Sequence, residues 1–138
     1  MANISPTFTA TGDPDCILVR WRDVTEADTC LAVSWGEWAD RTVHVTPSVT
    51  GGTFGTGGTV LLEGSNNVPD GFAAGGNVPP SNKQGSNFVT MTDPLGNPLS
   101  FTATGMKQIT ELPLQVRPRV SAGTGVKIDV HLFCRRGR

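Results

Sequence analysis

Residues 39–67, ADRTVHVTPSVTGGTFGTGGTVLLEGSNN, constrain the fold more than any other part of the chain. Val43 and Val45 alternate with Thr42, His44 and Thr46, the period of a strand with one buried face. A second run, 58–63, puts Val60 and Leu62 on one side and Thr59, Leu61 and Glu63 on the other. Between them lie Gly51, Gly52, Gly55 and Gly57, which supply the backbone freedom that bends and bulges demand. Residues 64–67, Gly-Ser-Asn-Asn, read as the turn that leaves the second strand. A chain organised around such a pair is a β protein, and no catalytic constellation falls within the stretch.

The same alternation recurs on both sides. Residues 16–23 place Ile17, Val19 and Trp21 on one face and Arg20 and Arg22 on the other; residues 31–38 place Leu31, Val33 and Trp35 in register until Gly36. Residues 24–29 are acidic and turn-like, with room for one helical turn. Residues 68–87 hold so many prolines and glycines that they read as a long loop at a contact surface. Short strands follow at 88–92, 99–103 (ended by Gly105) and 108–112, the first two separated by the turn Asp93-Pro94-Leu95-Gly96-Asn97-Pro98. Residues 114–120 alternate Leu114, Val116 and Val120 with Gln115, Arg117 and Arg119. Pro118 lacks a backbone donor, which places this strand at a sheet edge or a bulge. Residues 121–125 read as a hairpin loop. Val126, Ile128, Val130, Leu132 and Cys134 then make the cleanest buried face in the chain. About eight to ten short, evenly spaced strands predict an all-β fold, a β-sandwich of jelly-roll type with short strands and long loops.

With 138 residues the chain makes one domain, divided here into an extended arm or edge strand (1–12), a sandwich (13–134) and a basic tail (135–138). The arm carries no charged side chain. No apolar run is long enough for a transmembrane helix, and no secretory signal is visible. The 3 cysteines, Cys16, Cys30 and Cys134, form an odd set and read as reduced structural thiols, with a bridge from Cys16 to Cys30 or Cys134 left open. Net charge is −1 but uneven. Residues 1–40 hold seven acids against Arg20 and Arg22, a balance of −5; residues 117–138 hold six cations against Asp129, a balance of +5. Opposite signs at opposite ends predict pairing of the ends, within one chain or between subunits.

Candidate chemistry is sparse. His44 and His131 fall on polar strand faces, and Asp129 shares a face with His131, so a surface Asp–His pair is expected; no nucleophile elbow accompanies it. Ligand spacing for a metal is missing, and the glycines of 51–58 lack the Lys-Ser/Thr of a phosphate loop. Arg135, Arg136 and Arg138 without neighbouring aromatics make a weak nucleic-acid signal, so an acidic protein patch is the better partner. Trp21 and Trp35 read as core, whereas Trp38, between Gly36 and Asp40, reads as exposed and able to stack on a sugar.

The runs Ala39-Asp40-Arg41-Thr42-Val43, Gly52-Thr53-Phe54-Gly55, Gly57-Gly58-Thr59-Val60 and Glu63-Gly64-Ser65-Asn66 resemble those of capsid decoration, or cement, proteins of tailed bacteriophages. Asp93-Pro94-Leu95-Gly96-Asn97, Ser100-Phe101-Thr102-Ala103 and Val116-Arg117-Pro118 continue the likeness, which spans the chain from about residue 35 onward. The resemblance implies a non-enzymatic virion protein without cofactors. It would be assembled in the bacterial cytoplasm onto the outer capsid surface. Its partners would be a major capsid protein of HK97-like fold and its own copies, as dimer or trimer, with no nucleic acid or membrane. Contact residues expected on this reading are Ile4, Thr7, Phe8 and Thr9 in the arm and Arg117, Arg119, Arg135, Arg136 and Arg138 in the basic part. The competing expectation is a carbohydrate-binding module of a tail or fibre, using Trp38.

Overall fold

In a computed structural model, residues 2–34, 38–69 and 84–136 are described. They form an all-β sandwich of β1 (Asn3–Ile4), β2 (Thr7–Ala10), β3 (Cys16–Val24), β4 (Thr29–Cys30), β5 (Val33–Ser34), β6 (Trp38–Pro47), β7 (Thr56–Ser65), β8 (Val89–Thr90), β9 (Ser100–Phe101), β10 (Gly105–Ile109), β11 (Gln115–Thr124) and β12 (Ile128–Arg136). One five-stranded antiparallel sheet runs β10-β6-β12-β3-β2. The facing sheet runs β5-β11-β7-β8, with β9 also paired to β7. A small parallel pair, β1 with β4, closes one corner.

The alternation in sequence becomes the core. Ile17, Val19 and Trp21 from β3, Val43 and Val45 from β6, and Ile128, Val130, Leu132 and Cys134 from β12 meet Val60 and Leu62 of β7 and Val116 and Val120 of β11. Trp21 is fully enclosed, and its indole N–H donates to the Leu31 carbonyl at 2.9 Å, which removes the cost of burying that donor. Burying each such side chain is worth roughly 1.5–3 kcal/mol.

Several connections differ from the sequence expectation. Residues 48–55 do not turn β6 back on itself; they carry the chain from one sheet to the other. The crossing is pinned where Ser48 N–H and Thr53 N–H both donate to the Lys127 carbonyl, at 3.1 and 3.0 Å. Gly52 is required here because a Cβ would lie 2.0 Å from the Ser48 nitrogen. Residues 121–125 are likewise no hairpin: β11 continues through bulges to Thr124, and β12 then belongs to the opposite sheet. Gly64 and Ser65 extend β7 rather than ending it, and Gly105 opens β10 rather than closing β9. Residues 25–28 form a turn, with Asp28 N–H on the Thr25 carbonyl and no helix. Of the expected strand at 31–38, only β5 and Trp38, the first residue of β6, lie within the described part as strand, and Trp35 falls outside it.

Pro118 behaves as expected. β5 pairs with β11 only at Gln115 and Val116, so at Pro118 the strand has one described neighbour, β7, and the missing donor breaks no ladder.

Candidate functional site

The segment read as a possible free arm is built into the body. β2 is the terminal strand of the five-stranded sheet, with Thr7 opposite Arg20 and Thr9 opposite Leu18. Ile4 and Phe8 pack on the core, and Leu31 N–H donates to the Ile4 carbonyl at 2.9 Å. Thr7 and Thr9 are exposed. Of the four arm residues expected to make contacts, two are therefore anchors and two lie open at the sheet edge.

The basic residues separate more sharply. Arg117 and Arg119 flank one carboxylate, Glu63, on the outer face of the second sheet. The Arg119 Nε stands 2.8 Å from Glu63 Oε2, and the Arg117 Nε stands 3.4 Å from Oε1. Arg117 also lies 3.9 Å over the Phe88 ring. Residues 84–88 cover this face: Ser65 Oγ donates to the Ser86 carbonyl and Gly85 N–H donates to Gln115 Oε1. Ser65 and Gln115 are buried beneath these contacts, and Glu63 is buried between its two arginines, all three on an outward-facing side. Both arginines are thus paired within the chain, Arg117 part-buried and Arg119 still exposed.

Arg135 and Arg136 are not a tail, since β12 runs through both. Arg135 sits 3.9 Å from Asp40, both well exposed, and Arg136 N–H donates to the Asp15 carbonyl. The Arg136 guanidinium lies 5.0 Å over Trp38, which is only 4% exposed. Trp38 is therefore a core residue capped by an arginine, and it offers no face to a sugar. Among the described residues neither tryptophan is exposed, because Trp21 is buried too. Arg138 and residues 70–83 of the expected contact loop lie outside the described residues.

Among the described residues one ion pair joins an acid of the acidic end to a cation of the basic end, Asp40 with Arg135 at 3.9 Å. Arg22 and Asp129, 3.7 Å apart, join the minority charges of the two ends instead. The Glu26 carboxylate accepts the N–H groups of Gly125 and Val126, and with its own N–H these hold it below the usual carboxylate range. Asp23 is lowered by hydroxyls of Ser48 and Thr50, and it takes a left-handed φ of 56° while its N–H donates to Asp129.

The expected Asp129–His131 pair is replaced by other partners. Asp129 is buried, and its carboxylate serves Asp23 and Arg22. His131 instead accepts from Arg20 Nε at Nδ1, 3.2 Å away, and stands 2.9 Å from Thr46 Oγ1 through Nε2. His44 lies beside it, ring centroids 5.5 Å apart. One row thus crosses the whole sheet: Met106, His44, His131, Arg20, Thr7. Sequence reading placed both histidines on the polar face. It missed Arg20 and Glu63 as their faces' organising groups, because cross-strand register is not written in any single strand.

The three cysteines are free thiols. Burial pushes the Cys30 and Cys134 thiols up to about 12, so neither is a thiolate near neutrality. Among the described residues no group of His, Cys, Asp and Glu is placed to hold a metal ion. A cleft of about 380 Å³ lies between Asn66, Val89, Glu111 and Pro113, with Glu111 the one charged residue among the described residues that line it. Compared with known protein families, curated proteins and solved structures, the chain matches none.

Proposed function

We propose that this chain is a non-enzymatic virion protein of the capsid decoration (cement) class. It binds the outer surface of a tailed-phage head and braces neighbouring major capsid protein subunits against internal DNA pressure. The sandwich is read as the jelly-roll type of that class, and copies associate with one another on the shell. The observation that carries the reading is the contrast between the two long edges of the five-stranded sheet. β10 is guarded: Lys107, on the same side as the buried Ile109, donates to the Pro98 carbonyl at 3.3 Å and lies over Phe101. An inward-pointing charge on an edge strand opposes pairing with another chain. β2 has no charged residue, and Thr7, Thr9 and Ala10 are exposed along it. It is an edge that an extended segment of a neighbour can join through main-chain hydrogen bonds. The resemblance to decoration proteins falls on the scaffold around β6 and β7, which gives such an edge a rigid support. Many equivalent sites on one shell make weak single contacts sufficient.

The test is cosedimentation with expanded heads. The intact chain is expected to pellet with heads and to raise the temperature at which they release DNA. Thr9→Lys places a charge on the exposed edge without touching the core and is expected to abolish binding while leaving the thermal melt unchanged. Heads equally stable with and without bound protein would overturn the bracing role. Undiminished binding of T9K would overturn the use of β2.

A further inference from the structure

We propose that His131 is a proton-operated switch that holds the outer face of the five-stranded sheet in order when neutral and disrupts it when charged. The argument begins with hydrogen positions. A guanidinium Nε–H can only donate, so the 3.2 Å contact from Arg20 requires a lone pair on His131 Nδ1. The ring is then neutral with its hydrogen on Nε2, and that N–H donates to Thr46 Oγ1 at 2.9 Å. The imidazole works as a link between β3 and β6 across its own strand β12, accepting on one side and donating on the other. A proton added at Nδ1 turns the acceptor into a donor facing a donor.

The surroundings give little relief to that charge. On β3 stand Arg20 and Arg22, and on β6 stands His44, its ring 5.5 Å away. Among the described residues the one opposing group is Asp129 on the same strand, whose carboxylate already accepts Asp23 N–H at 2.9 Å and lies 3.7 Å from Arg22. Burial first, then Arg20, hold the His131 pKa below its ordinary 6.5, with Asp129 working against them. Between the two values the folded chain binds fewer protons than the unfolded chain. Stability is therefore fully present above 6.5 and is lost as pH falls through the folded-state value. Each pH unit by which the native value is depressed corresponds to about tenfold in the folding equilibrium constant. The switch does not depend on the capsid reading, since it concerns the sheet itself.

The experiment is urea unfolding of the whole chain at steps from about pH 8 to about pH 5, the range in which histidines titrate. The native chain is expected to lose stability across this range. His131→Gln can accept from Arg20 through its carbonyl and donate to Thr46 through its amide, and is expected to keep stability near pH 8 and flatten the loss. His44→Gln leaves the Arg20–His131–Thr46 link in place and should keep the loss. Should H131Q fail to fold, nitrogen-15 spectra of the native chain decide: an Nε2–H tautomer that titrates below 6.5 is expected. An unchanged pH loss in H131Q, or an Nδ1–H tautomer, would overturn the proposal.

Discussion

The two sheets organise their outer faces with arginine in opposite ways. On the second sheet, Arg117 and Arg119 clasp a buried carboxylate, Glu63, under the cover of residues 84–88. On the first sheet, Arg20 donates to a neutral base, His131, on a face with no such cover among the described residues. A carboxylate–guanidinium cluster sets charge against charge, and such groups keep their charges through the neutral range. A guanidinium on a neutral imidazole depends on the absence of one proton. The two faces therefore hold their arginines by different means, a carboxylate on one and, on the other, a ring lone pair that a single proton removes.

The largest expected effect breaks the first of these arrangements. Glu63→Leu leaves two guanidiniums facing each other, one of them largely covered, and should cost roughly 3 kcal/mol in urea unfolding. Next, His131→Leu removes both the acceptor for Arg20 and the donor to Thr46. It should cost about 1–2 kcal/mol near pH 8 and less at low pH, where the native contact is already weakened. A constant cost at every pH would erase the contrast. Within the clasp, Arg117→Ala should cost about 1–2 kcal/mol, since it loses both the ion pair and the contact with Phe88. Arg119→Ala should cost about 0.5 kcal/mol despite its shorter 2.8 Å bond, because its side chain is 46% exposed. The smallest effect belongs to Asp40→Asn. The Arg135–Asp40 pair is exposed on both sides and 3.9 Å long, so unfolding should shift by less than about 0.5 kcal/mol.

What was legible in the chain was the inward set. Ile17, Val19 and Trp21, then Val43 and Val45, then Val60 and Leu62, then the run from Val126 to Cys134 all reach the core they were assigned. A period of two is a local property, so a strand announces its own buried face. Pro118 announced a site with one described neighbour for the same reason: the missing donor is a property of the residue itself.

Partners were not legible. Whether β6 and β7 form a hairpin or sit in facing sheets depends on whether residues 48–55 dock on Lys127, a contact more than seventy residues away in sequence. Trp38 read as exposed from its neighbours Gly36 and Asp40, yet Arg136, from the far end of the chain, lies over it. Glu63 occupies an outward position by alternation and is buried all the same, with Arg117 and Arg119 on its carboxylate and Phe88 against Arg117.

Composition and period alone determined that this is a sandwich of alternating strands, and which side chains fill it. Only the tertiary structure decided what its arginines and histidines do. Apolar side chains need only be buried, and alternation tells them where. Charged side chains need a particular partner at about 3 Å, and that partner is chosen by register between strands distant in sequence.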